Sequence, residues 1–216
     1  MRPKPPTALL TLSIAALVGY AIVARSVSRR TVAADDRKVR NELQKTRDED
    51  GDAVATLVGP IGKQWLHIPA SALLTVYLVR RGTGTGGIVP LVASVTSDLF
   101  SRVFDRLPPN RKPPPGHPNQ QKPSFPSGHA NETTAVALSS AYVLSREGLI
   151  GATPAFAIAG ALAIASPTSR MYLDRHWLTD VIGGWLLGLS IAAGCAALYE
   201  AGARRDTTNR RVRIAG

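Results

Sequence analysis

Three runs of this chain carry no formal charge: Thr7 to Ala24, Leu149 to Ser166 and Val181 to Tyr199. Each approaches the roughly 20 apolar residues that a helix needs to cross the hydrocarbon core of a bilayer. Helix is the element they dictate, because in lipid every backbone N–H and C=O must find its partner within the segment or a closed barrel. Three weaker segments lie between them: Leu66 to Val79, Gly86 to Phe100 and Ala130 to Leu144. The second carries Asp98 and the third Glu132. A soluble helical protein accommodates one such run, but not three uncharged ones with three near neighbours. The fold class predicted is all-α: a polytopic membrane bundle of about six transmembrane helices. A mean hydropathy of +0.02 hides this segregation. The competing reading of the first run is a cleaved signal peptide with MRPK as its basic n-region, for which the apolar stretch is long.

The 216 residues allow one domain. The formal net charge of +11 would suggest nucleic acid in a soluble protein. Here the positive residues sit between spans, and the positive-inside rule accounts for them better. It places MRPK, Arg80-Arg81, Arg146 and the tail ARRDTTNRRVR on the cytoplasmic side, so both termini are expected there. The loops 25–65, 101–129 and 168–180 are then expected outside, although the first and second are themselves basic. Loop 25–65 balances its cations with acids (RKVRNELQKTRDEDGD) and reads as a polar helix lying at the surface. The single cysteine, Cys195, forms no internal disulfide and reads as a small packing residue. Gly183, Gly184 and Gly188 suit close helix packing in the last span.

Two stretches carry chemistry. SFPSGHA, Ser124 to Ala130, brings a helix breaker, a hydroxyl, a bare glycine backbone and an imidazole to the start of an apolar segment. Backbone N–H groups at a helix N-terminus bind anions. SRMYLDRHWLTD, Ser169 to Asp180, holds Arg170, His176 and Asp180. Asp180 lies four residues after His176, so on a helix the two share a face. A carboxylate there holds one imidazole N–H and leaves the other nitrogen basic, with histidine as the nucleophile. His129 has no such partner in register. The proline-dense loop 107–126 (LPPNRKPPPGHPNQQKPSFP) precedes both stretches. It reads either as a linker or as a stiff, basic holder for an anion. Guanidinium groups match phosphate oxygens in pairs.

PSGH at Pro126 to His129 and SR-x5-H-x3-D at Ser169 to Asp180 resemble two of the three signature motifs of the type 2 phosphatidic acid phosphatase superfamily, over roughly residues 101–187. The resemblance implies that His176 attacks phosphorus to form a phosphohistidine and that Asp180 orients it. His129 would protonate the leaving oxygen, and Arg170, Ser127 and the Gly128 backbone would hold the phosphate. The family's first motif, K-x6-RP, departs here: with RP placed on Lys112-Pro113, Asp105 stands where lysine belongs. Lys112, Arg111 and Arg106 are the candidates for the missing cations, with Arg102 a further one.

The remaining polar residues have plain readings. His117 is expected to be solvated, His67 interfacial, and Trp65, Trp177 and Trp185 belt or packing aromatics. Asp174 and Arg175 read as solvated loop charges, and Glu132 as a group near His129. The partition expected is 1–24 as first span, 25–65 as extracytoplasmic amphipathic loop, 66–203 as catalytic helical core and 204–216 as basic cytoplasmic tail. The function expected is metal-independent, cofactor-free hydrolysis of a lipid phosphate or diphosphate at the outer face of a bacterial plasma membrane, without a nucleic-acid partner. The alternatives are a lipid-binding protein with a degenerate motif and a vanadate-dependent haloperoxidase-like enzyme. Headgroup, tail and oligomeric state stay open.

Overall fold

The computed structural model describes residues 5–215, apart from the side chains of residue 85 and residues 204–215. Among the described residues eight α-helices follow one another: α1 (Pro6–Ser28), α2 (Ala33–Lys45), α3 (Glu49–Val58), α4 (Gln64–Arg80), α5 (Val89–Phe104), α6 (Gly128–Arg146), α7 (Ala152–Tyr172) and α8 (Leu178–Ala215). Short 3-10 turns at Gly59–Gly62 and Gly84–Ile88 lead into α4 and α5. No strand occurs among the described residues, so the chain is all-α as expected.

Local chemistry sets the helix ends. Pro6 opens α1 at a position whose N–H has no helical partner anyway. Asp48 caps α3 by accepting the Gly51 N–H at 2.7 Å, and three acids in the first turn suit the positive end of the helix dipole. Gly148, at φ +68°, closes the turn between α6 and α7.

Among the described residues, four helical stretches are long and apolar enough to cross a membrane: Pro6–Ser28, Gly86–Phe104, Ala152–Tyr172 and Leu178–Ala203. Their outward faces carry large bare side chains, including Ile14 and Ile22 on α1, Val95 and Leu99 on α5, and Ile158 and Ile164 on α7. In water such a girdle would drive aggregation; against acyl chains it costs nothing. The other two expected spans are α4, with 17 residues, and α6. α6 is polar because it stands at the bundle centre, touching α4, α5, α7 and α8 rather than lipid. Asn131 donates to the Ser97 carbonyl and the Ser101 hydroxyl of α5, both at 3.0 Å. Glycine lets α8 press against α6: a Cβ at Gly184 would lie 2.5 Å from the Ser127 carbonyl oxygen, and one at Gly188 2.5 Å from that of Asn131.

The segment 25–65 forms two surface helices, α2 and α3, rather than one. The proline-dense loop is a packed structure, not a linker. Phe125 is 1% exposed and stacks on Tyr20 of α1 at 5.8 Å between centroids. The Ser124 N–H donates to the Arg111 carbonyl at 2.9 Å, closing the loop on itself. At the opposite end of the bundle Arg146 donates to the buried carboxylate of Glu200 at 2.5 Å. The MRPK residues and the side chains of the basic tail lie outside the described residues, while the backbone of 204–215 continues α8.

Candidate active site

A pocket of about 530 Å3 opens where the first turn of α6, the last turn of α7 and the loop before α8 converge. His129, Arg170 and His176 all line it, with Gly128 at its floor. Ser127 caps α6, its hydroxyl accepting the Ala130 N–H, so the next N–H groups face the pocket end without helical partners. The Ser127 hydroxyl itself is fully buried and does not line the pocket.

His176 precedes α8 rather than sitting on it, and this changes its relation to Asp180. Asp180 occupies the third position of α8 and reaches back to accept the Trp177 N–H at 2.8 Å, half of a capping box. Its second oxygen receives Arg111 at 3.2 Å. The His176 Nδ1 lies 3.7 Å from Asp180 Oδ2, but 3.0 Å from the carbonyl oxygen of Ser124. A carbonyl only accepts, so Nδ1 carries the hydrogen and Nε2 keeps its lone pair. The expected carboxylate–imidazole hydrogen bond is thus replaced by one to a backbone carbonyl. At 3.7 Å Asp180 faces the imidazole as a charge rather than as a hydrogen-bond acceptor.

His129 is held beneath the 3-10 turn Gly59–Gly62. A Cβ at Gly62 would come within 2.9 Å of His129 Cδ2 and 2.6 Å of the Ser166 hydroxyl, which is why glycine stands there. The His129 Nε2 is buried and has no hydrogen-bond partner. The Nε of Arg170 and that of Arg175 are likewise buried and unpartnered. Three polar groups at one pocket are therefore under-satisfied, which is costly unless a ligand completes them.

Of the cations expected from the first motif, only Arg102 lines the pocket. Arg111 is locked between Asp36 and Asp180, and its guanidinium carbon lies 5.0 Å from the centre of the Trp177 ring. Lys112 is exposed and faces a different hollow beside Arg30; Arg106 is exposed and lines neither. The pocket draws its cations from Lys63, Arg102, Lys122, Arg170 and Arg175. Lys122 stands four residues before Pro126, and its signal was its place in KPSFPSGH. Lys63 had none, because the turn that delivers it is remote in sequence. Arg175 is a pocket residue rather than a solvated charge. Asp174 is not solvated either: it is 2% exposed and grips Arg40 through two bonds of 2.7 and 2.6 Å.

Three carboxylates, Asp98, Asp105 and Glu132, share the pocket. Asp98 pairs with Arg102 at 2.9 Å. Glu132 meets His67 Nε2 at 2.8 Å, while His67 Nδ1 meets Ser94 at 2.8 Å. His67 is thus a buried bridge between α4, α5 and α6 and not an interfacial residue. Burial pushes the Asp105 carboxyl up, with the charges of Lys122 and His176 pulling it partly back. His117, at the outer rim, is pushed down by burial and by Arg175. Trp185 donates to the Ala163 carbonyl at 2.7 Å and packs α8 against α7.

The model of the PAP2 superfamily matches residues 86–203. An undecaprenyl-diphosphatase of Sulfolobus acidocaldarius is 33% identical over 134 residues, covering 59% of this chain and 60% of the relative. A phosphatidylglycerophosphatase B of Bacillus subtilis is 31% identical over 137 residues, covering 57% and 66%. The chain thus spans somewhat less than two thirds of the length of these curated relatives. Its fold matches a solved transmembrane PAP2-type phosphatidylglycerolphosphate phosphatase from Bacillus subtilis with a TM-score of 0.72 at 22% identity, covering 90% of this chain and 96% of the other.

Proposed function

Because the chain belongs to the PAP2 superfamily, that is, the type 2 phosphatidic acid phosphatases whose motifs it carries, we propose that it hydrolyses a lipid phosphate or diphosphate without a metal. One observation carries the reading. The Ser124 carbonyl fixes the His176 Nδ1 hydrogen and frees Nε2, in the same pocket where His129 Nε2 and two guanidinium nitrogens are buried without partners.

In this mechanism the phosphate rests on the N–H groups of Gly128 and His129, with Arg170, Arg175 and Lys122 at its oxygens. Nε2 of His176 attacks phosphorus and the P–O bond to the lipid breaks. The leaving oxygen takes its proton from His129 Nε2. Water then attacks the phosphohistidine, giving its proton to the same nitrogen, and the electron pair of the P–N bond returns to His176. Asp180 stabilises the imidazolium character that develops on His176.

The pocket opens at the ends of α6, α7 and the loop into α8, so a lipid presents its headgroup there while its tail stays in the bilayer. The names of the curated relatives favour a polyprenyl diphosphate or a phosphatidylglycerol phosphate as the first substrates to try. The charge pattern supports an outward-facing pocket with both termini cytoplasmic. It also supports the partition into a first span, the surface loop 25–65, a catalytic core 66–203 and a basic tail.

The test is phosphate release by detergent-purified protein in EDTA, over a panel of lipid phosphates and diphosphates, beside His176→Ala. Release that survives EDTA and disappears in the variant is expected. Equal release by parent and variant on every lipid would overturn the reading.

A further inference from the structure

Asp36 lies in α2, outside the stretch 86–203 that the family model matches, yet it is 1% exposed. One of its oxygens accepts the Thr179 N–H at 2.9 Å, capping α8 from another element. The other accepts the Thr179 hydroxyl at 2.7 Å and Arg111 at 2.5 Å. Arg111 extends its second terminal nitrogen to the Thr179 hydroxyl at 2.5 Å and to Asp180 at 3.2 Å. Asp180 in turn stands 3.7 Å from His176 Nδ1. A line of alternating charge runs from a surface helix to the histidine. The same helix grips the loop that carries His176: Arg40 holds Asp174, and Gln44 donates to the Tyr172 carbonyl at 3.2 Å.

We propose that α2 is a strap that positions His176, with Asp36 and Arg111 as its positioning residues. The proposal rests on the phosphatase reading above.

Burying charges is unfavourable, and an apolar contact would hold α2 in place with a smaller desolvation penalty. What the charges add is a balance. Arg111 sits between two carboxylates, so Asp180 shares its cation with Asp36 and keeps negative potential for the imidazole. With Asp36 neutral, Arg111 attends to Asp180 alone, and a protonated His176 loses support. With Arg111 neutral, two carboxylates act together on His176, and the protonated form gains support. The two effects have opposite signs, which a loss of packing does not produce.

The other charged groups facing His176 stay unchanged in both cases. They are Asp105 at the end of α5, His117 and Lys122 in the proline loop, and His129 on α6. Arg170 on α7, Arg175 in the following loop, and Lys63, Asp98, Arg102 and Glu132 line the same pocket.

The test follows the His176 imidazole by NMR in detergent-purified full-length protein labelled with 15N-histidine. His176 is assigned among the 4 histidines by its loss in His176→Asn. Asp36→Asn is expected to move the titration midpoint down, and Arg111→Gln to move it up. The double variant returns close to the parent. In turnover, Asp36→Asn lowers kcat about tenfold while inhibition by inorganic phosphate stays within about twofold. Midpoints that stay put or move the same way would overturn the proposal. So would a joint loss of kcat and phosphate inhibition, which marks a merely structural role. A parent that releases no phosphate from any lipid would instead sink the phosphatase reading, and the titration would still decide the strap.

Discussion

In the proposed mechanism Nε2 of His176 attacks because Nδ1 is committed to the Ser124 carbonyl, and His129, whose Nε2 is buried and unpartnered, carries the proton. This division of labour separates two kinds of substrate. His129→Ala is expected to cut kcat on an alkyl phosphate about 100-fold to 10,000-fold. An aryl phosphate, whose leaving group needs no proton, should lose far less in the release of its alcohol; steady-state comparison of the two, with a burst experiment, checks this. Asp105 makes a second residue-scale prediction. Burial raises its carboxyl, so as pH falls through that raised value the pocket sheds a negative charge and phosphate esters bind more tightly. Asp105→Asn should therefore lower KM at neutral pH by about threefold to tenfold and flatten its dependence on pH. A KM profile from mildly acidic to neutral pH measures both. The histidines and Arg170 were legible as pocket residues because their motifs are short and local. Beyond Arg170 and Arg102, the cations were not. Arg111 sits in the right loop but is claimed by two carboxylates, one from a helix some 75 positions away, and no local pattern announces such a partner.

At the scale of the elements, the loop before α6 and the surface helix α2 do more than connect spans. A proline-rich sequence says that a segment forms neither helix nor sheet, and it was silent on whether the segment packs. Phe125 against Tyr20 and Ser124 against Arg111 supply that answer through contacts distant in the chain. The polarity of α6 carried a similar ambiguity. Its threonines, Asn131 and Glu132 look wrong for a span until the helix is seen at the bundle centre. The glycines of α8 were a better guide, since Gly184 and Gly188 have no room for a Cβ against the α6 backbone. Gly188→Val should destabilise the protein by about 1–3 kcal/mol or more through forced separation of α6 and α8. Thermal unfolding in detergent, with turnover measured on the surviving fold, reads that cost.

For the whole molecule, the girdle of exposed Ile, Leu and Val on α1, α5 and α7 is the physical reason for a membrane protein, and it was visible in the sequence as uncharged runs. The orientation proposed for it, with the pocket outward, rests on where Arg and Lys cluster. Cys195 is buried, so it leaves a quiet background for site-directed labelling. A membrane-impermeant maleimide applied to intact cells should label Leu107→Cys beside the pocket and spare Arg81→Cys at the opposite turn. The reverse pattern would turn the pocket to the cytoplasm. The central claim, that His176 carries the phosphate in transit, has its most direct test in a rapid alkaline quench of the enzyme during turnover of a radiolabelled lipid phosphate, followed by peptide mapping. An acid-labile label on the peptide containing His176, absent from His176→Ala, is expected. Label on another residue, or turnover in His176→Ala at the parent's rate, would contradict it.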